Sequence, residues 1–344
     1  MIWIRRTLAG VIAVGLLAAG CGRGTDDTSV TTIGLLSAAL ADTAEASSYR
    51  ESLSVGLQLK IAGVELSSGL DEGSPAFVCE VSSDREYCRI DLSTLLESVF
   101  GFPLGEWDDL EFEMWLDQDR IVMDTTALQP LADAEPDADM GYMEPGVFFV
   151  DLASLEAEGS ELMHAVAGSS SPDLSEMAVS LPAALITIEQ TSDDPPTFVG
   201  TTTSAKLIEA LGGNVENEAR CEAASLEMAS SPEDLDELTE LFIRVFETNT
   251  AEVVIELDRQ GLLSVLWTTE DYSGIFAGLA ESESFSAEFS EQERQEAMEI
   301  FGSAEMILAT RVAYEPNADL EVPPPPPTAD DRTQEWHEYL PECS

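Results

Sequence analysis

The chain has 344 residues, of which 67 are acidic and 15 are basic, so its formal net charge is −52 at pH 7. Such a charge repels phosphate backbones, and we therefore exclude nucleic acid as a partner. Hydrophobic residues make up 44% of the chain, which is typical of a globular protein and argues against disorder over its whole length. The acidity is compatible with saline surroundings or with attraction of cations.

The N-terminus has the organisation of an export signal. Arg5 and Arg6 precede an apolar run at residues 7–17 that is too short to span a bilayer comfortably, and small residues then lead to Cys21. The sequence LAAGC resembles the lipobox of bacterial lipoproteins. This resemblance implies that residues 1–20 are a signal peptide and that a diacylglyceryl group on Cys21 anchors the protein outside the cytoplasm, on the bacterial cell membrane. The alternatives are an ordinary cleaved signal with an incidental cysteine, or an uncleaved anchor.

The first part of the mature chain predicts a sheet. A polar tether at residues 21–31 precedes a helix at residues 33–46, and the clearest period-2 pattern follows at residues 49–61. Such alternation is typical of an antiparallel sheet with one buried face. Further strands are predicted at residues 64–70 and in a hairpin over residues 110–124. The predicted buried face of the long strand holds Tyr49, Leu53, Val55, Leu57, Leu59 and Ile61.

Two cysteines fall in a predicted hairpin between these segments. Pairing Cys79 with Cys88 places Phe77 opposite Ile90, and opposed residues of antiparallel strands are within disulfide reach. We therefore predict a disulfide between Cys79 and Cys88.

The remaining pair, Cys221 and Cys343, is predicted to form a second disulfide that holds the C-terminal tail. An exported protein is in an oxidising compartment, which favours disulfides. A zinc site is the alternative interpretation of the four cysteines, but their spacings do not fit one.

The middle of the chain mixes loops and short elements. The acidic stretch at residues 131–141 is predicted to be a solvated loop, because Pro136 and Ala138 are incompatible with a calcium-binding EF-hand loop. A buried strand that leads into a helix is predicted at residues 144–155. A helix begins at Ser171 and is expected to kink or divide at Pro182.

The second half repeats the alternation of strands and helices. Residues 197–211 are interpreted as a strand, and Ser231 begins a helix whose apolar face includes Leu238, Phe242 and Val245. The last strands are predicted at residues 251–258, 262–269 and 306–314. Five prolines at residues 323–327 are expected to end regular structure. We predict one domain over residues 32–322, followed by a Pro-rich segment and a tail over residues 323–344.

The sequence contains few residues or motifs typical of catalytic sites. It has no nucleophile elbow, no Walker A motif and no dinucleotide-binding glycine motif, and its only histidines are His164 and His337. With the cysteines assigned to acylation and disulfides, we predict no enzyme, no cofactor and no metal site. A hydrolase that uses carboxylates alone is a third alternative, because it requires only two acids placed by the fold.

Four short motifs stand out along the chain: SSYR at residues 47–50, VDLASL at 150–155, VGTTT at 199–203 and IELDRQG at 255–261. Together they resemble the mycobacterial LppX/LprG group of lipoproteins, relatives of the LolA-like carriers. The resemblance implies an α+β fold in which a curved antiparallel half-barrel sheet wraps over several helices and encloses an apolar cavity for acyl chains. The two disulfides, the stretch at residues 131–141, residues 221–231 and the tail are not features of that group.

On this basis we expect a monomeric, non-enzymatic lipoprotein that binds or transfers a lipid or glycolipid. The alternative is a structural or signalling lipoprotein that presents its acidic surface to a partner protein or to cations. The residues predicted to line the cavity are Leu53, Val55, Leu57, Leu59, Phe112, Met114, Leu238, Phe242 and Val245.

Overall fold

The computed structural model describes most of the chain. The described residues are 27–61, 64–67, 75–82, 85–94, 110–117, 120–134, 144–151, 154, 174–225, 232–281, 300 and 302–334. Within them the fold is mixed α+β, as predicted, with seven α-helices and one open, curled sheet.

The sheet has two arms that meet at its centre. The strands of the N-terminal arm are β1 (Ser48–Ile61), β2 (Val64–Ser67), β3 (Phe77–Ser82), β4 (Glu86–Asp91), β5 (Glu111–Asp117), β6 (Arg120–Asp124) and β7 (Val147–Asp151). Those of the C-terminal arm are β8 (Thr187–Asp193), β9 (Pro196–Thr203), β10 (Thr250–Leu257), β11 (Leu263–Asp271) and β12 (Glu305–Pro316). A two-residue strand, β13 (Asp330–Asp331), completes the described sheet.

The order of the strands explains how the arms join. Twelve described strands follow one another as β13-β7-β6-β5-β4-β3-β1-β12-β11-β10-β9-β8, and β2 pairs with the far end of β1 beside β3. Every pairing is antiparallel except that of β13 with β7. The long central strands β1 and β12 run side by side over twelve paired positions. The first strand of the chain therefore lies beside its last long strand, β12, at the centre of the sheet.

Except for one short helix, the seven described helices contribute buried apolar side chains to a core that they share with the sheet. They are α1 (Asp27–Ala44), α2 (Gln129–Ala134), α3 (Leu174–Ala184), α4 (Ser204–Ala210), α5 (Val215–Ser225), α6 (Pro232–Thr248) and α7 (Ser273–Glu281). In α6 the buried side chains recur at helical spacing: Leu238, Leu241, Phe242, Val245 and Phe246. They join Leu53 and Val55 of β1 and Val312 of β12 in one apolar cluster. We call the side of the sheet that carries Leu53, Val55 and Val312 the inner face.

Several sequence-based expectations are confirmed. The strand over residues 49–61, the hairpin over residues 110–124 and the strands near residues 251–258, 262–269 and 306–314 are all present. The Cys79–Cys88 disulfide forms, with Phe77 opposite Ile90 as predicted.

Other expectations differ from the structure. Residues 197–211 are not one strand, because β9 ends at Thr203 and α4 follows. The Thr203 side chain accepts a hydrogen bond from the Lys206 backbone N–H at 3.3 Å and so caps that helix. Residues 131–134, predicted as loop, belong to α2, whereas residues 135–143 lie outside the described part. Helix α1 begins at Asp27, inside the predicted tether, and α3 ends only two residues after Pro182.

The Pro-rich segment does not end regular structure. After it, Asp330 and Asp331 add a parallel strand beside β7. The Ser48 hydroxyl donates a hydrogen bond to the Ala318 carbonyl at 2.8 Å, and the Asp151 N–H donates to the Thr333 hydroxyl at 2.9 Å. On the outer face of the sheet, Tyr87, Trp115 and Val122 form a small cluster with Val147, Phe149, Val322 and Ala329. The segment is thus held along the outer face by its own contacts.

Candidate functional site

One row of side chains crosses the inner face from β12 to β7. Each member lies directly opposite the next in the strand register, so all of them belong to the same side of the sheet. The row joins a buried phenol and a buried acid to four sulfur-containing side chains and a phenylalanine. We call it the transverse row, and its members are Tyr314, Glu51, Cys79, Cys88, Met114, Met123 and Phe148.

Two further rows flank the transverse row. One of them crosses β1 at Leu53, two residues after Glu51. It is entirely apolar: Val312, Leu53, Phe77, Ile90 and Phe112. The row on the other side carries one acid among apolar and aromatic residues: Tyr49, Val81, Glu86, Leu116, Ile121 and Val150. The three rows form a broad, mainly apolar surface that continues from the central strands to β7.

The structure brings the predicted cavity residues to this side of the sheet. Six of the nine are buried in the apolar cluster shared by sheet and helices: Leu53, Val55, Phe112, Leu238, Phe242 and Val245. Leu57 is half-buried and packs against the same cluster. Leu59 and Met114 are half-buried, and their register places them on the inner face.

Glu51 and Tyr314 form the polar end of the transverse row. Both are only 4% exposed. The Tyr314 hydroxyl is buried and has no hydrogen-bond partner among the described residues. Burial raises the pKa of Tyr314 well above its ordinary value, and the nearby Glu51 carboxylate raises it further. The phenol therefore stays protonated and has a hydrogen available to donate.

Tyr49 lies beside this pair at the start of β1. Its ring centroid is 6.4 Å from that of Tyr314, with the two planes tilted by 51°. Tyr49 is half-buried, whereas Tyr314 is buried. The polar end of the transverse row therefore adjoins a side chain that is partly exposed to solvent.

The disulfide occupies the middle of the transverse row. Cys79 and Cys88 are both buried, and the carboxylate oxygen Oε1 of the buried Glu86 lies 3.4 Å from the Cys88 Sγ atom. These three residues are the group of candidate metal ligands found in the described part of the chain. Because both sulfur atoms are engaged in the disulfide, the group has no thiolates to offer a metal in this state.

A second polar cluster lies on the inner face of the C-terminal arm. The Tyr272 hydroxyl donates a hydrogen bond to Glu270 Oε2 at 2.8 Å. Burial raises the pKa of Glu270, and the neighbouring hydroxyls of Ser204 and Tyr272 oppose that increase. The Tyr272 hydroxyl thus already has an acceptor, whereas the buried Ser204 hydroxyl has no hydrogen-bond partner among the described residues. Glu270 and Glu51 are far apart. Glu270 lies opposite Leu308, which lies opposite Leu57, and Leu57 is six residues from Glu51 along β1.

Sequence reasoning missed the polar groups of the inner face. Glu51, Glu86 and Glu270 occupy buried positions of their strands. The alternating pattern itself could have located them. Glu51, for example, lies between Tyr49 and Leu53, so the pattern assigns it to the buried face of the strand. A charged residue at such a position is unusual unless it has a structural or binding role.

Several predicted residues cannot be placed. Cys21, Cys343, His164 and His337 lie outside the described residues. Cys221 is half-buried in α5, so its pairing with Cys343 stays a prediction. No helix in the described part is both long and apolar enough to cross a bilayer.

Comparison with known proteins gives no assignment. The chain matches no protein-family model, and no curated protein is similar to it in sequence.

Proposed function

We propose that this protein is a membrane-anchored, extracytoplasmic lipoprotein that binds a lipid or glycolipid on the inner face of its sheet. The observation that carries the proposal is the continuity of the mainly apolar surface across the three rows. The transverse row crosses seven strands, and six interstrand spacings of about 4.8 Å give a length of about 29 Å. The acyl chains of one bilayer leaflet extend about 15 Å, half the hydrocarbon thickness. The surface is long enough for such a chain.

The proposed arrangement is that of a half-barrel wrapped over helices, as in the LppX/LprG group. Its support is the open, curled antiparallel sheet with apolar helix faces packed against one side. The structure explains the glycine of the motif VGTTT, Gly200. A Cβ atom there would lie 2.7 Å from the Thr187 carbonyl oxygen, so the close approach of β8 to β9 requires glycine.

Anchoring at Cys21 is part of the proposal. Helix α1 begins at Asp27, so five residues separate it from the acylated cysteine. Five extended residues reach about 18 Å at most. The sheet and helices would therefore stay close to the membrane surface, where a lipid could pass between the bilayer and the inner face.

Burial of acyl chain supplies the driving force. Each CH₂ group removed from water contributes about 0.8 kcal/mol, which is offset by the loss of freedom on binding. No catalytic residue is required, because the ligand would be held and released unchanged.

One observation favours the second candidate, a lipoprotein that presents its acidic surface to a partner or to cations. Leu53, Val55 and Phe242 all belong to one cluster of buried side chains from the sheet and the helices. If these contacts persist in solution, the interior needs no ligand. The acidic surface would then be the functional part.

Lipid extraction and native mass spectrometry test the proposal. The protein is produced without residues 1–20 and with Cys21→Ser, and is then incubated with a fluorescent fatty acyl lipid. We expect a one-to-one adduct and a fluorescence increase. Absence of both would contradict lipid binding and favour the second candidate.

A matched pair of variants locates the binding surface. Leu59 and Gln58 are neighbours on β1, and their register places them on the inner and outer faces, respectively. Leu59→Arg should weaken uptake at least tenfold, because it introduces a charge on the half-buried inner face. Gln58→Arg adds the same charge to the opposite face and should leave uptake unchanged.

A further inference from the structure

We infer that Tyr314 and Glu51 form a binding site for a hydroxyl group of the ligand, and that this site selects uncharged hydroxylated lipids over anionic ones. The inference rests on the proposed lipid-binding function and adds to it the chemical class of the ligand. It depends on two buried polar groups that lie opposite each other at the centre of the sheet.

The position of the pair makes it suitable for this role. Glu51 and Tyr314 are directly opposed on β1 and β12, and both are 4% exposed. The half-buried Tyr49 ring adjoins Tyr314, so the pair lies next to a side chain that is partly exposed to solvent. The apolar row of Val312, Leu53 and Phe77 runs directly beside it. A lipid with its chain on the apolar surface would have its polar end near this pair.

The chemistry of the pair defines the complementary group. The buried Tyr314 hydroxyl has no partner among the described residues, and a buried polar group without a partner destabilises the fold until a ligand satisfies it. A carboxylate such as that of Glu51 has capacity for several donors. A ligand hydroxyl accepts one hydrogen bond and donates another, so it could accept from Tyr314 and donate to Glu51.

The same pair disfavours an anionic headgroup. A ligand carboxylate or phosphate would be placed against the Glu51 side chain, and Glu86 lies on the same face in the flanking row. Like charges at short distance in a poorly solvated site repel strongly. The Tyr272–Glu270 cluster does not offer the same site, because its hydroxyl already donates to its carboxylate.

Three ligands with the same chain separate the contributions. Hexadecan-1-ol carries the hydroxyl, its methyl ether lacks the donor, and palmitate carries a negative charge. Binding is measured by competition against the fluorescent acyl lipid, with the Cys21→Ser protein that lacks residues 1–20. We expect the alcohol to bind about tenfold more tightly than the ether, as for one buried hydrogen bond, and palmitate to bind more weakly than the alcohol.

Variants of the two residues separate their contributions. Tyr314→Phe should weaken the alcohol and the ether by a similar factor of about ten, because both ligand oxygens accept from the phenol. Glu51→Leu removes the acceptor and should abolish the preference for the alcohol over the ether, and Glu51→Gln should raise the affinity for palmitate about tenfold. Tyr87→Phe is the matched control, because Tyr87 donates to Glu113 on the outer face. It should keep the wild-type affinities and the wild-type preference.

The outcomes distinguish this inference from the proposed function. If all three ligands bind wild-type protein with equal affinity, or if Tyr314→Phe leaves the affinity for the alcohol unchanged, the pair is not the hydroxyl site while lipid binding stands. If none of the ligands binds, the proposed function itself is wrong. The wild-type comparison remains decisive even if a variant fails to fold.

Discussion

The Thr43 hydroxyl links the first helix to the sheet. It accepts a hydrogen bond from the Leu263 backbone N–H at 2.8 Å and donates one to the Ala39 carbonyl at 2.7 Å. Thr43 is fully buried. One side chain in the last turn of α1 thus fixes that helix to the first residue of β11, over the inner face.

Replacing Thr43 with valine should destabilise the protein by about 1–3 kcal/mol, because the Leu263 N–H is then buried without its acceptor. The control is Thr239→Val in α6, where the hydroxyl donates to the Leu235 carbonyl of its own helix. The control should change the free energy of unfolding by less than about 0.5 kcal/mol. Urea unfolding of both variants tests this, and equal losses would contradict the role given to Thr43.

Gly200→Ala should destabilise the protein by about 1–3 kcal/mol, because the new Cβ atom would collide with main-chain and Leu185 atoms that have little room to move. Gly274→Ala provides the comparison, since its Cβ would have nothing within 4 Å. That substitution lies in α7 and should be neutral or slightly stabilising. Thermal unfolding of the two variants gives the measurement; an unchanged Gly200→Ala protein would contradict the close packing of β8 against β9.

Removal of the Cys79–Cys88 disulfide should cost about 3 kcal/mol, as the chain-entropy treatment gives for a loop of this length. The double variant Cys79→Ala, Cys88→Ala and the chemically reduced wild type should show similar losses in urea unfolding. A loss below about 0.5 kcal/mol in both would mean that the strand pairing does not depend on the cross-link.

Glu218 should make stability depend on pH. Burial raises its pKa to about 7 from an ordinary value of 4.5. The carboxyl is protonated in both folded and unfolded states below pH 4.5, whereas above pH 7 the folded protein must bury the charge. Wild type should therefore lose up to about 3 kcal/mol relative to Glu218→Gln as the pH rises from 4 to 8.

The measurement for Glu218 is the difference in unfolding free energy between variant and wild type at pH 4 and pH 8. Glu216→Gln, at an exposed position of the same helix, controls for the loss of one acidic residue. If the Glu218→Gln difference is the same at both pH values, the carboxyl is not buried in solution.

Much of the sheet was predictable because its strands alternate cleanly. β1, β10 and β12 combine long period-2 patterns with β-branched and aromatic residues, and the hairpin register followed from placing Cys79 opposite Cys88. Such patterns reflect one buried face, which local sequence reports directly.

The missed elements lack that signal. β8 has the sequence TIEQTSD, whose side chains are half-buried or exposed, and it forms because β9 offers an edge. α5 contains good helix formers, but the only fully buried side chains among those described in it are the small Ala219 and Ala223, so it shows no strong apolar periodicity. α7 contains two glycines, which disfavour helices in isolation. Packing of α5 against α6 stabilises α5, and packing of α7 against α6 and β12 overrides the unfavourable preference of its glycines.

The candidate site was predictable in its apolar part only. Leu53, Val55 and Phe112 could be assigned to a buried face from alternation. The pairing of Glu51 with Tyr314 depends on the register of strands at opposite ends of the chain. A phenol without a hydrogen-bond partner is a property of the folded interior, which no local pattern encodes.

Photo-crosslinking with a diazirine-labelled fatty acyl chain tests the central claim most directly. After digestion at acidic residues, mass spectrometry assigns the modified positions along β1. We predict labelling of the inner-face residues Leu53, Val55 and Leu57, with unlabelled lipid as an effective competitor. Labelling confined to outer-face residues such as Ser52 and Ser54 would contradict lipid binding on the inner face. Labelling that unlabelled lipid does not reduce would contradict it as well.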